Sequence, residues 1–252
     1  MTRNSFFKKC ILAVLPLIVF FAACHSEKKQ AKIETGGVIT DEAEELSERD
    51  MFFRTKIFPQ LRKQNFASAE KMLNEEIKEH PEYQKEPIYF SAMSIINYNK
   101  GNYSDAYKDA SRIIQVMEQR FSPKKPYQID FQSDKARESV ASHYLYRYQA
   151  SLKLKRYEAA LEDVDMALKI DDKARIRLIK SNLLILLKRY DEAAKEINKA
   201  YELDKSVLAN EGESFLLDVC TVYYENGYTK VKACKETFKS IEEMQKEAEE
   251  AE

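Results

Sequence analysis

Glycine is scarce in this chain. Its 252 residues include five Gly, six Pro and no Trp. Gly-rich phosphate loops and the tight turns of many-stranded sheets need more glycine than that, so nucleotide-binding and sheet-based enzyme classes are disfavoured. No sign of charge dominates either. With 41 basic and 42 acidic residues the formal net charge is −1, which argues against a nucleic-acid partner and against a solvating acidic chain. The apolar run Cys10–Ala23 is about 14 residues long and interrupted by Pro16, short of the roughly 20 residues of a comfortable span. G-x-S-x-G, H-E-x-x-H and C-x-x-C are all missing. The three histidines, His25, His80 and His143, have no partner at metal-ligand spacing. No catalytic residue, cofactor or metal is therefore expected.

What is present is a third of charged residues and an abundance of Ala, Leu, Glu and Lys, all strong helix formers. The composition predicts an all-helical protein with short connections. Its start differs. A short cationic stretch (Met1–Lys9, MTRNSFFKK) precedes the apolar run, the order and length of a signal peptide. The run ends Phe21-Ala22-Ala23-Cys24. Phe21 is too bulky for A-x-A cleavage before Cys24. Small-small-Cys after an apolar run resembles the lipobox of bacterial lipoproteins, with Phe21 in place of the usual Leu. The resemblance implies removal of residues 1–23 and diacylglycerol on the Cys24 thiol, a stable anchor; an uncleaved signal anchor or plain secretion are the alternatives. Cleavage leaves 38 basic against 42 acidic residues, a net charge of −4. His25 follows the Cys. An Asp there would resemble an inner-membrane retention signal, so the expectation is the outer membrane of a two-membrane bacterium. Residues 24–47 read as a flexible tether, few in apolar groups and carrying Gly36-Gly37.

From about Glu48 the apolar residues follow helical spacing, and they repeat. KRYEAALEDVDMALKIDD (Lys155–Asp172) is echoed by KRYDEAAKEINKAYELDK (Lys188–Lys205). Tyr157 is followed by Ala160, Val164 and Ala167, and Tyr190 by Ala193, Ile197 and Ala200, one stripe on a helix. Phe66 with Ala69, Leu73 and Ile77, and Tyr103 with Ala106, Ala110 and Ile113, continue it upstream. This pattern resembles the tetratricopeptide repeat, a helix–turn–helix unit with an aromatic opening helix B and small residues three and ten positions later. The resemblance covers roughly residues 48–240. It implies an all-α, right-handed superhelical array of about five units over 48–241, with an acidic tail at 242–252. A last unit on Tyr228 fits poorly, since Val231 replaces the small residue. The opening aromatics are expected to fill the wedges between adjacent units. Pro59 must kink or restart the first helix A; Ile57 and Tyr148 stand where that helix usually carries small residues.

Cys220 and Cys234 lie seven residues to either side of Gly227, which puts them at one height on antiparallel helices. In an oxidising compartment they bridge; two buried thiols are the alternative, because packed helix axes sit about 8–10 Å apart while bridged Cα atoms lie within about 7 Å.

In tetratricopeptide arrays the helix A faces line a concave groove for a peptide or partner helix. Carried onto this chain, the groove positions are Ser91, Ile95 and Tyr98, then Leu145, Gln149, Leu152 and Lys153, then Leu178, Asn182 and Ile185, and last Leu216 and Tyr223. They form an apolar lane with two amides, suited to a protein partner in the cell envelope; packing of the Leu and Ile against the neighbouring helix A is the plainer reading. An insertion at 118–134 (EQRFSPKKPYQIDFQSD) mixes basic and aromatic residues and fits lipid headgroups, glycan, an acidic partner or a solvated strap. Two functions follow: a non-enzymatic, membrane-anchored adaptor of the envelope, or an accessory lipoprotein that captures a glycan or nutrient in a closed pocket.

Overall fold

The computed structural model describes residues 47–131, 133–207 and 213–250; within the helices the side chains at 213–216, 244–245 and 247–250 lie outside the description. Cys24 and the expected signal peptide are also outside it, as is the tether apart from Ser47. The described residues form helices and turns, with no strand among them. Two compact units divide between Arg156 and Tyr157.

The N-terminal unit begins with α1 (Glu48–Phe52), capped by the Ser47 hydroxyl accepting from the Asp50 amide at 3.2 Å. Pro59 has no N–H to give the Thr55 carbonyl, so the chain widens rather than kinks. Phe53–Ile57 forms a π turn in which the Phe58 amide donates to Phe53, and α2 (Phe58–Arg62) restarts with Pro59 in its first turn. Next come α3 (Phe66–Glu79), a 3₁₀ turn (Pro81–Lys85), α4 (Pro87–Asn99) and α5 (Tyr103–Phe121). Pro87 opens α4, where its missing N–H costs nothing. A second 3₁₀ turn (Pro126–Gln128) leads to α6 (Asp134–Lys153), capped by Ser133. The expected insertion at 118–134 thus begins as the last turn of α5, which continues to Phe121. Phe53, Ile57, Ala69, Leu73, Ala92 and Ile96, each fully buried, make one core here.

The C-terminal unit holds α7 (Tyr157–Ile170), α8 (Ala174–Leu186), α9 (Tyr190–Leu203), α10 (Glu213–Glu225), a 3₁₀ turn (Lys232–Cys234) and α11 (Lys235–Glu250). Its core contains Ala160, Val164, Ala167, Leu184, Ala193, Ile197 and Ala200, all at 0% exposure. All but Leu184, which comes from α8, are the small and branched residues of the repeated stripe. The acidic segment from Glu242 to Glu250 continues α11.

One backbone feature sets the repeat register. Gln64, Gly101, Lys155, Lys188 and Gly227 all have left-handed φ, from 59° to 82°. Each sits at a helix C-terminus, and the amide after it donates back five residues, as Arg156 to Ser151 and Tyr228 to Tyr223, both 2.9 Å. The aromatic opening the next helix comes two residues after the left-handed residue in Phe66, Tyr103, Tyr157 and Tyr190. In the last unit that position is Thr229, not Tyr228. The expected fifth unit is corrected by one residue, and its helix B is replaced by the 3₁₀ turn and α11. The opening aromatics Phe66, Tyr103, Tyr157 and Tyr190 are partly exposed.

Lys155 and Lys188 hold this conformation with a Cβ that disfavours it. Lys155→Gly and Lys188→Gly are each expected to stabilise the chain by about 0.5–1 kcal/mol, the relieved strain less glycine's greater unfolded freedom. Thermal unfolding of the single variants checks this; a lower Tm in both contradicts it.

Candidate functional site

The register places the expected lane. Counting back from the left-handed residues, one helix A position holds Ile95, Gln149, Asn182 and Thr221; a second holds Tyr98, Leu152, Ile185 and Tyr224; a third holds Ser91, Leu145, Leu178 and Leu217. The assignments on α4, α6 and α8 therefore keep a common register. On α10 the equivalent residues are Leu217, Thr221 and Tyr224, so Leu216 and Tyr223 are one residue out. The signal was legible: Gly101 precedes Tyr103 by two, and Gly227 stands in the same relation to Thr229.

The lane is not the open apolar surface expected. Ile95, Tyr98, Leu145, Leu152, Leu178 and Ile185 are all 8% exposed or less, and Gln149 and Asn182 are 3%. Tyr98 packs on Tyr103 with ring centroids 5.4 Å apart and shares a cluster with Ala106 and Ala150. Leucine and isoleucine at these positions are core neighbours. Only Leu217, at 48%, is a large exposed apolar residue in this register among the described side chains.

Tyr223 is corrected outright. It is fully buried, and its hydroxyl meets Ser181 Oγ at 2.8 Å, while Ser181 donates to the Ala193 carbonyl at 3.0 Å. The serine has one proton, so the tyrosine is the donor of the shared bond. Burial raises the Tyr223 hydroxyl well above its ordinary value. Ser181 occupies the position that carries Ile57 and Tyr148 in the first and third units; both of those are buried as well.

The two amides differ from their apolar neighbours. Gln149 Nε2 in the N-terminal unit and Asn182 Nδ2 in the C-terminal unit are buried and have no hydrogen-bond partner. Each such donor costs about 1–3 kcal/mol, so an amide there carries a penalty that Leu or Met would not.

Titratable groups are otherwise paired or isolated. Glu196, 8% exposed, takes Arg177 at 2.6 Å and Lys180 at 3.4 Å. Arg177 also grips Asp172 at 2.6 Å, and Lys180 reaches Asp165 at 2.8 Å. This brace ties α7, α8 and α9 and was not visible in the sequence. Burial raises Asp109 above its ordinary value, against a 2.9 Å bond donated by the Asn97 amide. Burial lowers His143 to about 4, so it is neutral at pH 7. Among the described residues no group of three or more His, Cys, Asp or Glu is placed to hold a metal, and no helix is long and apolar enough to cross a membrane.

The structure brings Cys220 and Cys234 together in a disulfide, Cα atoms 5.4 Å apart and both side chains at 0% exposure. Cys220 shares the small register position of Ser94 and Ser181. Cys234 ends the 3₁₀ turn that precedes α11.

No protein-family model and no curated protein matches this chain. Among solved structures it is similar to the crystal structure of MamA, with a TM-score of 0.51 and 14% identity over 81% of this chain and 99% of that one. At that identity the likeness carries the fold alone: an all-helical, tetratricopeptide-like array.

Proposed function

We propose that this chain is a non-enzymatic adaptor lipoprotein of the bacterial cell envelope, acylated on Cys24, that recruits a protein partner through its helix A lane. The observation that carries the partner-binding part is the pair of unpaired amide donors on lane positions, one in each unit. A core position gains nothing from such a donor, whereas a peptide carbonyl supplies the missing acceptor. Both donors are shut from solvent, so a partner reaches them only when the lane opens. The disulfide supports export, since such bonds form and persist in oxidising compartments. The signal-peptide pattern ending at Cys24 supports the lipid anchor, and His25 in place of a retention Asp supports the outer membrane.

Gln149→Leu and Asn182→Leu test the reading. Each removes a buried unpaired donor, so each is expected to raise stability by about 1–3 kcal/mol, measured by denaturant unfolding, and to lose in-cell cross-linking of the full chain to its envelope partner. Gained stability with undiminished cross-linking overturns the lane as the binding element.

A further inference from the structure

The loop between α5 and α6 is the least absorbed feature of the N-terminal unit. Together with the last turn of α5, from Gln119 to Ile129, it carries Arg120, Lys124 and Lys125 and no acidic residue, in a chain of net charge −1; Glu118 and Asp130 bound this stretch. All three basic side chains are exposed, with no ion pair among the described residues. Tyr127 beside them is 41% exposed. The loop is held rather than loose. Phe121 and Phe131 meet edge to face at its base, 6.3 Å between centroids. Pro126 is buried, and the Gln128 carboxamide accepts from the Lys125 amide at 2.8 Å.

Its place in the unit matters as much as its composition. α4 and α5 form an antiparallel hairpin turning at Gly101, so Glu86, just before α4, lies level with about residue 116 of α5. α5 then runs on to Phe121, roughly 7 Å further. Arg49 of α1 pairs with Glu86 at 2.9 Å. The start of the described chain, which follows the segment leading from Cys24, is thus at the end of the unit from which the basic loop projects.

We propose that Arg120–Tyr127 rests on the anionic headgroup layer of the membrane that holds the chain. This rests on the anchored reading above. Exposed cations beside a tyrosine match that layer: the cations meet anionic lipid, and an aromatic with a polar tip sits at the interface. A fixed loop at the tethered end meets the surface without the entropy loss of ordering a free segment.

The test uses the full chain carrying Cys24→Ser, which removes the acyl group, and vesicles of either phosphatidylcholine alone or phosphatidylcholine with 30 mol% phosphatidylglycerol. The apolar run near the N-terminus contributes to both vesicle types, and Arg3, Lys8 and Lys9 before it add an anionic preference of their own, so the loop's share is read as the difference between parent and variants. Three surface cations give on the order of tenfold or more in partitioning. Arg120→Gln/Lys124→Gln/Lys125→Gln is expected to lose that preference for anionic vesicles and keep its binding to zwitterionic ones. Lys124→Glu/Lys125→Glu is expected to lose it with two changes, and circular dichroism to show both folded. An unchanged anionic preference in both variants overturns the proposal, as does a parent chain without one; a loop that serves an acidic protein would give that outcome. Palmitate labelling of the unsubstituted chain reads the anchor separately. Labelling without loop dependence sinks the loop alone; loop dependence without labelling sinks the anchor.

Discussion

Tyr223→Ala is expected to destabilise the C-terminal unit by about 3–5 kcal/mol, and Tyr223→Phe by about 1 kcal/mol. The ring is fully buried, so truncation leaves a cavity that the packed helices around it close only in part. Its hydroxyl starts a relay through Ser181 to the Ala193 carbonyl, joining α10, α8 and α9. Phenylalanine keeps the volume and loses one bond of that relay. Denaturant unfolding followed by the far-ultraviolet signal reads both variants. A surface tyrosine serving a partner would give the opposite result, with stability unchanged in Tyr223→Ala. Ser181→Ala should cost more than Tyr223→Phe, since it removes both bonds of the relay and leaves the buried Tyr223 hydroxyl without this partner, and the double variant should cost less than their sum, because both remove the shared bond.

Spacing alone revealed the repeat. Alanines at 160, 167, 193 and 200, all buried, could be placed because a stripe at helical period needs only local information. The same holds for Pro59, whose missing donor obliges a kink or a restart inside a helix. The lane was legible as a register and not as a surface. Position along helix A follows from the turn, while burial depends on what packs across it, and Ile95 and Leu178 look alike in either case. The last unit misled for a chemical reason. Tyr228 resembles the opening aromatics, but the turn is set by the left-handed residue, and Gly227 puts Thr229 at the opening position. The charge brace on Glu196 went unseen because Arg177 and Lys180 lie on a different helix from the carboxylate they neutralise. The amides of Gln149 and Asn182 were visible as residues; their missing partners were not.

Breaking the Cys220–Cys234 bond, by reduction or by Cys220→Ala/Cys234→Ala, is expected to cost the C-terminal unit about 3 kcal/mol. The bond spans 14 residues, and a loop of about that length loses this much unfolded-state freedom when closed. For a unit of under a hundred residues that is a fall in Tm of about 10–20 °C. The loss should not spread evenly. α11 replaces the regular helix B, and the side chains described as holding it inward are Cys234, Phe238 and Ile241, with Val231 ahead of them. Without the bond, Val231, Phe238 and Ile241 are the buried apolar side chains left to hold the described part of this segment, so amide exchange in α11 should accelerate before exchange in α8 and α9. The alkylation pattern fixes the premise: the oxidised chain, cleaved down to Cys220 and Cys234, should show no free thiol at either until reduced. If both alkylate freely, or if exchange in α11 is indifferent to reduction, the disulfide is not what closes this end of the array.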